Sequence, residues 1–371
     1  MQEALSGNVT YGSPRPDAPK SVQIAGIEKG SKNRYNNIWP YEHSRVKLEG
    51  VSGGGCDYIN ANHVRSNRSN KRYIATQGPI PATFPDFWSV VWQQDVRCIV
   101  MLTAETEGGQ VKAHNYWEKG QYGYLRLEPL SEKRASLEPS RIHRYRERNS
   151  LDRRRSAVTS PSPTRQEQEQ ATQSPKGEQP YVIVRRFMLS NQQRPFEPVR
   201  EITQLQYSHW PDFGAPAHPA HLLGLVEQCD AVVRSASGAS SAGPDPPNAR
   251  PVLVHCSAGC GRTGTFCTVD SVIDMMRRQR QTQREKSDRS ARAGTPMDID
   301  GETKPKEKSF FDSDNIPDYN YWQQREDIDL IEKTVEDFRL QRLSMVQSLR
   351  QFVLCYESVL EWLAEQKPRS A

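Results

Sequence analysis

The residues with the clearest chemical potential lie in the segment PVLVHCSAGCGRTG, which spans residues 251–264. Its pattern predicts a buried strand over 251–255, a glycine-rich loop, and a helix that begins near Arg262. Small residues let the backbone N–H groups of such a loop converge on one point, and the helix N-terminus adds partial positive charge there. Because Cys256 opens this loop, we predict an anion-binding loop with a nucleophilic thiolate.

Cys256 and Arg262 together predict attack of a thiolate on a phosphate ester. The positive loop favours the ionised cysteine, and the Arg262 guanidinium can bind two phosphate oxygens at once. The alternative is a buried cysteine before an ordinary glycine-rich turn, and a bare C-x5-R pattern would favour that alternative. The whole decapeptide HCSAGCGRTG disfavours it. A Walker-type loop is excluded, since no Lys-Ser or Lys-Thr follows the glycines.

A proton donor for this reaction is predicted in the segment HWPDFGAP. Attack on an aryl phosphate releases a phenolate, whose conjugate acid has a pKa of about 10, so the leaving oxygen needs a proton. Asp212 lies on a loop between Pro211 and Gly214, and Trp210 gives that loop a bulky anchor. An aspartate in a surface turn fits the tripeptide Pro-Asp-Phe equally well, so this motif alone leaves both interpretations open.

The composition indicates a folded core that is interrupted by polar segments. The chain has 371 residues, of which 35% are hydrophobic, and its mean hydropathy is −0.80, well below that of an ordinary globular domain. We therefore predict a flexible tail over 1–25 and a domain over 26–368. Disordered insertions are predicted at about 131–179, 235–249 and 281–318.

Apolar periodicity predicts that strands alternate with helices before a helical end, which is typical of an α/β domain with a mixed sheet. The predicted strands share short apolar or alternating runs and are DYINANHV, RYIATQG, RCIVML, YVIVRRFML and VREITQLQYSHW. The predicted helices have apolar residues at helical spacing and cover ATFPDFWSVVWQQD, 219–233, 326–339 and 345–366.

Charge and cysteine content bear on partners and location. The chain has 50 basic and 45 acidic residues, a net charge of +5, which suits phosphorylated substrates and argues against nucleic acid. Its seven cysteines include no Cys-x-x-Cys pair, which disfavours a zinc ribbon or a thioredoxin motif. Neither a signal peptide nor a run of about 18 apolar residues is present. We therefore expect a monomer that acts in the cytoplasm, or in the nucleus as well, without membrane insertion.

Several segments together resemble the phosphotyrosine-specific protein tyrosine phosphatases, and their long insertions resemble those of fungal, non-receptor members. The resemblance implies a single α/β domain with a highly twisted mixed sheet flanked by helices, a phosphocysteine intermediate, and no metal or other cofactor. It implies phosphotyrosine-containing proteins as partners, with MAP kinases as the substrates of fungal members. The segments are HCSAGCGRTG, HWPDFGAP, KNRYNNIWPYEHSRVKL, DYINAN, TQGPIPATFPDFWSVVW and QRLSMVQSLRQFVLCYESVLE.

The resemblance implies a role for each matching residue. Cys256 matches the nucleophile, and Asp212 matches the general acid that later acts as general base. Thr263 matches the hydroxyl that helps to expel the thiolate, and Gln347 and Gln351 match the glutamines that position the hydrolytic water. The residues that match the phosphate-binding loop are Ser257, Ala258, Gly259, Cys260, Gly261 and Arg262, with His255 before them as a supporting residue.

Tyr35, in KNRY, matches the aromatic wall of a pocket that is too deep for phosphoserine to present its phosphate to Cys256. Glu107 and Lys112 match the pair that orients the phosphate-binding arginine and the closed acid loop, although each alone would be read as a surface charge. Asn37 stands where the family often has an aspartate that binds the substrate backbone, so peptide affinity is expected to be lower. Ser344 replaces a glycine beside the pocket of some members, which predicts narrower access.

Three alternatives remain at this point. A catalytically weak domain that binds phosphotyrosine or acts as a scaffold would be signalled by loss of Asp212 or Cys256, and both are present. A phosphoinositide phosphatase would have extra lysines in the loop, and a dual-specificity phosphatase would lack KNRY. Cys98, Cys267 and Cys355 are expected in the core. For Cys260, pairing with an oxidised Cys256 is the alternative to a core role.

Overall fold

The computed structural model describes residues 23–50, 55–138, 180–212, 214–237, 243–293, 321–325 and 327–366. Most of the predicted tail, and the parts of the predicted insertions at 139–179, 238–242 and 294–320, lie outside these residues. The tail boundary at 25 is slightly late, because Ile24 already forms a β-bridge with Tyr41.

Within the described residues, one mixed sheet forms the centre of the fold. Its strands are β1 (Arg45–Lys47), β2 (Tyr58–Val64), β3 (Tyr73–Thr76), β4 (Cys98–Met101), β7 (Gln121–Tyr122), β8 (Leu125–Ser136), β9 (Tyr181–Asn191), β10 (Arg200–Gln206) and β11 (Val252–His255), and β5 (Thr106–Glu107) and β6 (Gln110–Val111) form a separate hairpin. The spatial order is β1-β2-β3-β11-β4-β10-β9-β8-β7. The four central strands β3, β11, β4 and β10 are parallel, and their neighbours pair antiparallel.

Alternation along the central strands divides the core between the two faces of the sheet. On β4, Ile99 and Met101 pack in one apolar cluster, whereas Cys98 and Val100 pack in the other. The first cluster is closed by α1 (Phe84–Gln93) and the second by α2 (Pro219–Ser237), α3 (Gly261–Ala293), α4 (Leu330–Arg339) and α5 (Leu349–Glu365). The predicted α/β class with helices on a mixed sheet is confirmed.

The C-terminal helices begin later than predicted, because polar side chains cap them at defined positions. Asp329 accepts hydrogen bonds from the N–H groups of Ile331 and Glu332, so α4 starts at Leu330. Ser348 and Gln351 form a capping box that starts α5 at Leu349. The preceding residues 345–348, predicted as helix, instead form a turn in which Val346 has φ +57°.

The insertion boundary predicted at residue 131 is too early. Residues 131–136 continue β8 and pair with β9 in register, with Ser131 opposite Arg186 and Ser136 opposite Tyr181. These β8 residues are largely exposed, so the strand lacks the apolar alternation from which we predicted strands. Leu137, which follows, is fully buried.

The other two predicted insertions also begin in ordered structure. Helix α2 continues to Ser237, and α3 continues to Ala293. In the stretch predicted as a Ser/Gly/Pro linker, Asp245 is buried and lies 3.3 Å from the Nζ atom of buried Lys71, which also contacts Asp230 at 2.6 Å and Asp270 at 3.1 Å. This ion cluster ties residue 245 to the core, and composition gives no sign of it. None of the helices in the described ranges has the length and apolar character that crossing a membrane would require.

Candidate active site

The predicted anion-binding loop lies between the end of β11 and the start of α3. Cys256 is 4% exposed, and its Sγ accepts hydrogen bonds from the Gly259 N–H at 3.2 Å and the Thr263 hydroxyl at 3.4 Å. Gly259 has φ +72°, and a Cβ there would lie 2.1 Å from the Thr76 carbonyl oxygen. Only glycine fits this turn, because it adopts positive φ readily and leaves room for the neighbouring strand.

Arg262, in the first turn of α3, is 1% exposed, and its guanidinium contacts both the β5–β6 hairpin and the loop that carries Asp212. One terminal nitrogen donates to the Glu107 carboxylate at 2.6 Å and to the Trp210 carbonyl at 2.7 Å, and the other donates to Asp212 at 3.1 Å. Burial opposes the charge of Arg262, but its interactions with Cys256, Glu107 and Asp212 raise the pKa of Arg262 above its ordinary value. Its buried Nε has no acceptor among the described residues, which fits a guanidinium that receives a phosphate oxygen.

The predicted acid, Asp212, lies at the edge of the same site. Its second carboxylate oxygen accepts from Lys112 Nζ at 3.0 Å, and its side chain is 38% exposed. Trp210 is buried, and its indole N–H donates to the Gly214 carbonyl at 3.0 Å, which anchors the loop as predicted. A cavity of about 460 Å³ opens between this loop and the β5–β6 hairpin, with Glu107 and Lys112 in its lining.

Tyr35 reaches the predicted anion-binding loop from the N-terminal segment. Its hydroxyl lies 2.7 Å from the Ser257 hydroxyl. The neighbouring Arg34 fixes this segment, since its guanidinium donates to the carbonyls of Gly78 (2.8 Å) and Pro79 (2.9 Å). Asn37 is exposed on the same segment, and its predicted contact with the substrate backbone stays a prediction.

The two predicted glutamines differ in their exposure to solvent. Gln347 is exposed, whereas Gln351 is 1% exposed, and its amide oxygen accepts from the N–H groups of Gln347 at 3.0 Å and Ser348 at 3.3 Å. Both glutamines lie against Gly261, where a Cβ would come within 2.7 Å of the Gln351 amide oxygen. Gln351 therefore shapes the turn beside the loop, and the assignment of a water-positioning role to either glutamine stays a prediction.

His255 supports the loop from behind. It is fully buried, and burial lowers its pKa to about 4, so its ring is neutral at pH 7. Its Nδ1 lies 3.1 Å from the Cys256 carbonyl oxygen, which can only accept, so Nδ1 holds the ring proton. Its Nε2 lies 2.8 Å from the Tyr116 hydroxyl and accepts a hydrogen bond from it.

Arg342 is a further site residue that the sequence did not reveal. It is fully buried, and its Nε and one terminal nitrogen donate to the carbonyls of Gly259 (2.8 Å) and Ala258 (3.0 Å). Its other bonds go to the side-chain oxygens of Asn62 and Asn60, both in the DYINAN segment. By holding the loop carbonyls outward, Arg342 leaves the loop N–H groups free to face an anion.

The remaining cysteines follow the predictions where the structure bears on them. Cys98, Cys267 and Cys355 are buried in the core, and all seven cysteines have free thiols. Cys260 is also buried, its Sγ lies 3.6 Å from the Ala258 carbonyl oxygen, and burial raises its pKa to about 11. Its pairing with an oxidised Cys256 stays a prediction. Ser344, with φ +56°, adopts a conformation that favours glycine.

Comparisons with known proteins agree on the class of site. The model of the protein-tyrosine phosphatase family matches residues 29–154 and 160–300. The chain is 36% identical over 252 residues to tyrosine-protein phosphatase Lar of Drosophila melanogaster, which covers 67% of this chain and 10% of that protein. It is 34% identical over 283 residues to receptor-type tyrosine-protein phosphatase F of Danio rerio, and this match covers 75% of this chain and 12% of that protein. The chain thus spans about a tenth of the length of these curated relatives.

Among solved structures, the chain resembles the catalytic domain of human protein tyrosine phosphatase non-receptor type 18. That match has a TM-score of 0.58 and 27% identity, and it covers 92% of this chain and 88% of the other. A second match, to a structure that concerns the PTPN18 fingerprint on distinct HER2 tyrosine phosphorylation sites, has a TM-score of 0.57 with the same identity and coverage.

Proposed function

Because the chain belongs to the protein-tyrosine phosphatase family, we propose that it hydrolyses phosphotyrosine in protein substrates through a phosphocysteine on Cys256. The observation that supports this proposal best is the convergence of three groups on one loop. The Cys256 thiol accepts two hydrogen bonds at the start of α3, and Arg262 contacts the Asp212 carboxylate 3.1 Å away. A nucleophile, an anion-binding guanidinium and a carboxyl group are the parts that phosphoryl transfer to a thiol requires.

In the first step, the Cys256 thiolate attacks phosphorus while the phosphate oxygens bind the loop N–H groups and Arg262. The S–P bond forms as the P–O bond to the tyrosine ring breaks. Asp212 donates its proton to the leaving phenolate oxygen, so tyrosine leaves neutral. Glu107 accepts from Arg262 at 2.6 Å, which holds the guanidinium in the plane that bidentate phosphate binding needs.

In the second step, water attacks the phosphocysteine, and the Asp212 carboxylate takes a proton from that water. The S–P bond breaks, inorganic phosphate forms, and the thiolate of Cys256 is restored. The Thr263 hydroxyl, 3.4 Å from Sγ, stabilises the departing thiolate with a hydrogen bond. We assign the placing of the water to Gln347, because it is exposed and lies beside Gly261 at the loop.

Selectivity for phosphotyrosine is proposed to come from Tyr35, whose contact with Ser257 places a ring beside the loop. A phosphorylated aryl side chain reaches past such a wall, whereas a phosphoserine side chain is too short. We propose phosphotyrosine proteins of the cytoplasm or nucleus as substrates, and phosphorylated MAP kinases as the first to test, because of the resemblance to fungal members. We also propose that the chain acts as a monomer.

Cys256→Ser tests the proposed activity. Serine is nearly isosteric, but its hydroxyl is barely ionised at pH 7, so turnover of a phosphotyrosine peptide should vanish while the fold and peptide binding persist. Cys56→Ser, at a half-buried cysteine elsewhere in the chain, is the control and should keep full activity. Steady-state turnover by Cys256→Ser above about 1% of wild type would exclude this nucleophile. Binding without turnover by the wild-type chain would instead indicate the phosphotyrosine-binding or scaffold function. Capture of partners with Asp212→Ala would then identify substrates.

A further inference from the structure

A buried arginine on β9, which is two strands away from β4 and three from β11 in the sheet, connects to both halves of the site. Arg185 lies on β9 and is 8% exposed. Its Nε donates to Glu132 on β8 at 2.6 Å, and its guanidinium stacks on the Trp117 ring at 4.5 Å. One terminal nitrogen donates to the side-chain oxygens of Gln204 at 3.0 Å and Gln206 at 2.6 Å. Arg185 thus bridges two buried glutamines of β10, and a series of hydrogen bonds, here called a branch, continues from each glutamine.

The first branch starts at Gln204 and ends at Cys256, the proposed nucleophile. Because a guanidinium can only donate, it fixes the amide oxygen of Gln204 toward itself and leaves the amide NH₂ for Tyr116. Gln204 Nε2 donates to the Tyr116 hydroxyl at 2.6 Å, so the one hydroxyl proton goes to His255 Nε2, 2.8 Å away. The ring proton of His255 is therefore on Nδ1, where it is donated to the Cys256 carbonyl oxygen at 3.1 Å.

The second branch ends at the phosphate-binding arginine. Gln206 accepts from Arg185, and its Nε2 donates to the Thr103 carbonyl oxygen at 3.3 Å. The Thr103 hydroxyl donates to the Glu107 carboxylate oxygen at 2.5 Å, and the same oxygen accepts from Arg262 at 2.6 Å. Gln204, Gln206, Thr103, Tyr116 and His255 are all at most 3% exposed, so water cannot easily replace a lost partner.

We propose that Arg185 is a positioning residue for the phosphatase reaction, since it orients the Gln204 amide, which fixes the direction of the Tyr116–His255 hydrogen bond, and supports the Glu107–Arg262 pair through Gln206 and Thr103. This inference rests on the proposed function. The His255 proton draws electron density from the Cys256 carbonyl, which favours the thiolate of the same residue. Arg185 itself touches neither substrate nor thiol and acts through these side chains alone.

Without the Arg185 guanidinium, the Gln204 amide loses the donor that fixes its orientation, and with it the direction of the hydrogen bonds in the first branch. In Arg185→Met, the Gln204 amide is free to turn, and its oxygen can accept the Tyr116 proton. His255 Nε2 then lacks a donor, so the Nε2–H tautomer becomes available and the Cys256 carbonyl loses its hydrogen bond. The loss of one buried hydrogen bond at the nucleophile is expected to lower kcat about tenfold. The change in KM should be less than about twofold, because Arg262 keeps its direct bonds to Glu107, Trp210 and Asp212 when the second branch is weakened.

The ¹⁵N shifts of His255 in histidine-labelled protein report its tautomer directly. The wild type should show the Nδ1–H form, and Arg185→Met should show the Nε2–H form or a mixture. The pH dependence of Cys256 alkylation by iodoacetate should shift to higher pH in the same variant. Arg186→Met is the matched control, because Arg186 is the next residue on β9 but pairs with Glu201 on the exposed surface at 2.6 Å; it should leave tautomer, alkylation and kcat unchanged.

Gln204→Glu decides the matter if Arg185→Met does not fold. It keeps Arg185 and the side-chain size, but a carboxylate has no N–H to donate and accepts the Tyr116 proton instead. It should shift the His255 tautomer as Arg185→Met does, and Arg185→Lys should restore part of the wild-type behaviour. An Nδ1–H tautomer in Gln204→Glu, or a match of Arg185→Met with Arg186→Met, would overturn the proposal. A wild type that fails to turn over phosphotyrosine would refute the proposed activity only, because the tautomer and alkylation measurements need no turnover.

Discussion

Replacing Asp212 with alanine should separate the proposed proton donation by this carboxylate from its ion pair with Arg262. In the structure, Asp212 accepts from Arg262 at 3.1 Å and from Lys112 at 3.0 Å. A phosphate that binds the loop must therefore take the place of the carboxylate at Arg262. The variant should lose catalysis because no acid remains, yet it should bind phosphotyrosine at least as well as the wild type.

The two effects differ in size. Loss of a general acid lowers kcat by roughly 10²–10⁴, which corresponds to about 2.7–5.5 kcal/mol in the barrier. The ion pair that competes with phosphate is worth less, because the Asp212 side chain is 38% exposed and solvent screens it to about 0–1 kcal/mol. Binding should therefore tighten by no more than about fivefold.

Leaving groups of different acidity provide the decisive assay. Steady-state kcat should be measured for phosphotyrosine peptide and for aryl phosphates with progressively more acidic phenols, since an acidic phenol leaves without a proton. The loss in Asp212→Ala should shrink as the phenol becomes more acidic. Asp212→Asn is the matched control: its amide oxygen can still accept from Arg262 or Lys112, but it has no acidic proton, so it should show the same loss in kcat.

One result would refute this reasoning. If aryl phosphates with acidic phenols lose as much rate as phosphotyrosine does, Asp212 is not the proton donor. The binding part fails separately if Asp212→Ala weakens the binding of phosphotyrosine peptide, as measured by calorimetry with the Cys256→Ser background, because the carboxylate would then assist phosphate binding.

Phosphotyrosine peptides should be turned over at least about 10²-fold faster than phosphoserine peptides of the same sequence, a barrier difference of about 2.7 kcal/mol. Tyr35→Ala should reduce this ratio, and Tyr35→Phe should keep it. Comparable wild-type kcat/KM values for the two peptides would contradict a deep pocket. Arg342→Met leaves the buried carbonyls of Ala258 and Gly259 without their donor, so the free energy of unfolding in urea should fall by about 3–5 kcal/mol, and a fall below about 1 kcal/mol would contradict the clamp. Burial lowers the pKa of His255 from 6.5 to about 4, so the unfolded chain binds one more proton between these pH values. Its contribution to the free energy of unfolding is therefore present above about pH 6.5 and is lost as pH falls toward 4, by about 3 kcal/mol in all. Urea unfolding at pH 7 and pH 5 should show about 2 kcal/mol of this loss in the wild type and not in His255→Gln, and equal pH dependence in the two would refute it.

The sequence alone determined the parts of the site that lie close together in the chain. Cys256 and Arg262 share one loop between a strand and a helix, so their spacing already predicts where the thiol and the guanidinium meet. Asp212 was predicted from its short motif together with the family resemblance, and Tyr35 from the resemblance. The strands and helices of the core were predicted from apolar runs and apolar periodicity. Burial on both faces of the sheet imposes the continuous runs of β4 and β11.

Tertiary structure alone decided which ordinary polar residues serve the site. Nothing in the residue types around Arg342, Arg185 and Gln204 singles out these three side chains. Each becomes important because segments distant in the chain bring a buried hydrogen-bond partner to it. The same holds for the extent of the sheet, since the later part of β8 is exposed and needs no apolar pattern to pair with β9. Hydrogen bonds between segments far apart in the chain depend on distance and direction in space, and the order of residue types along one segment records neither.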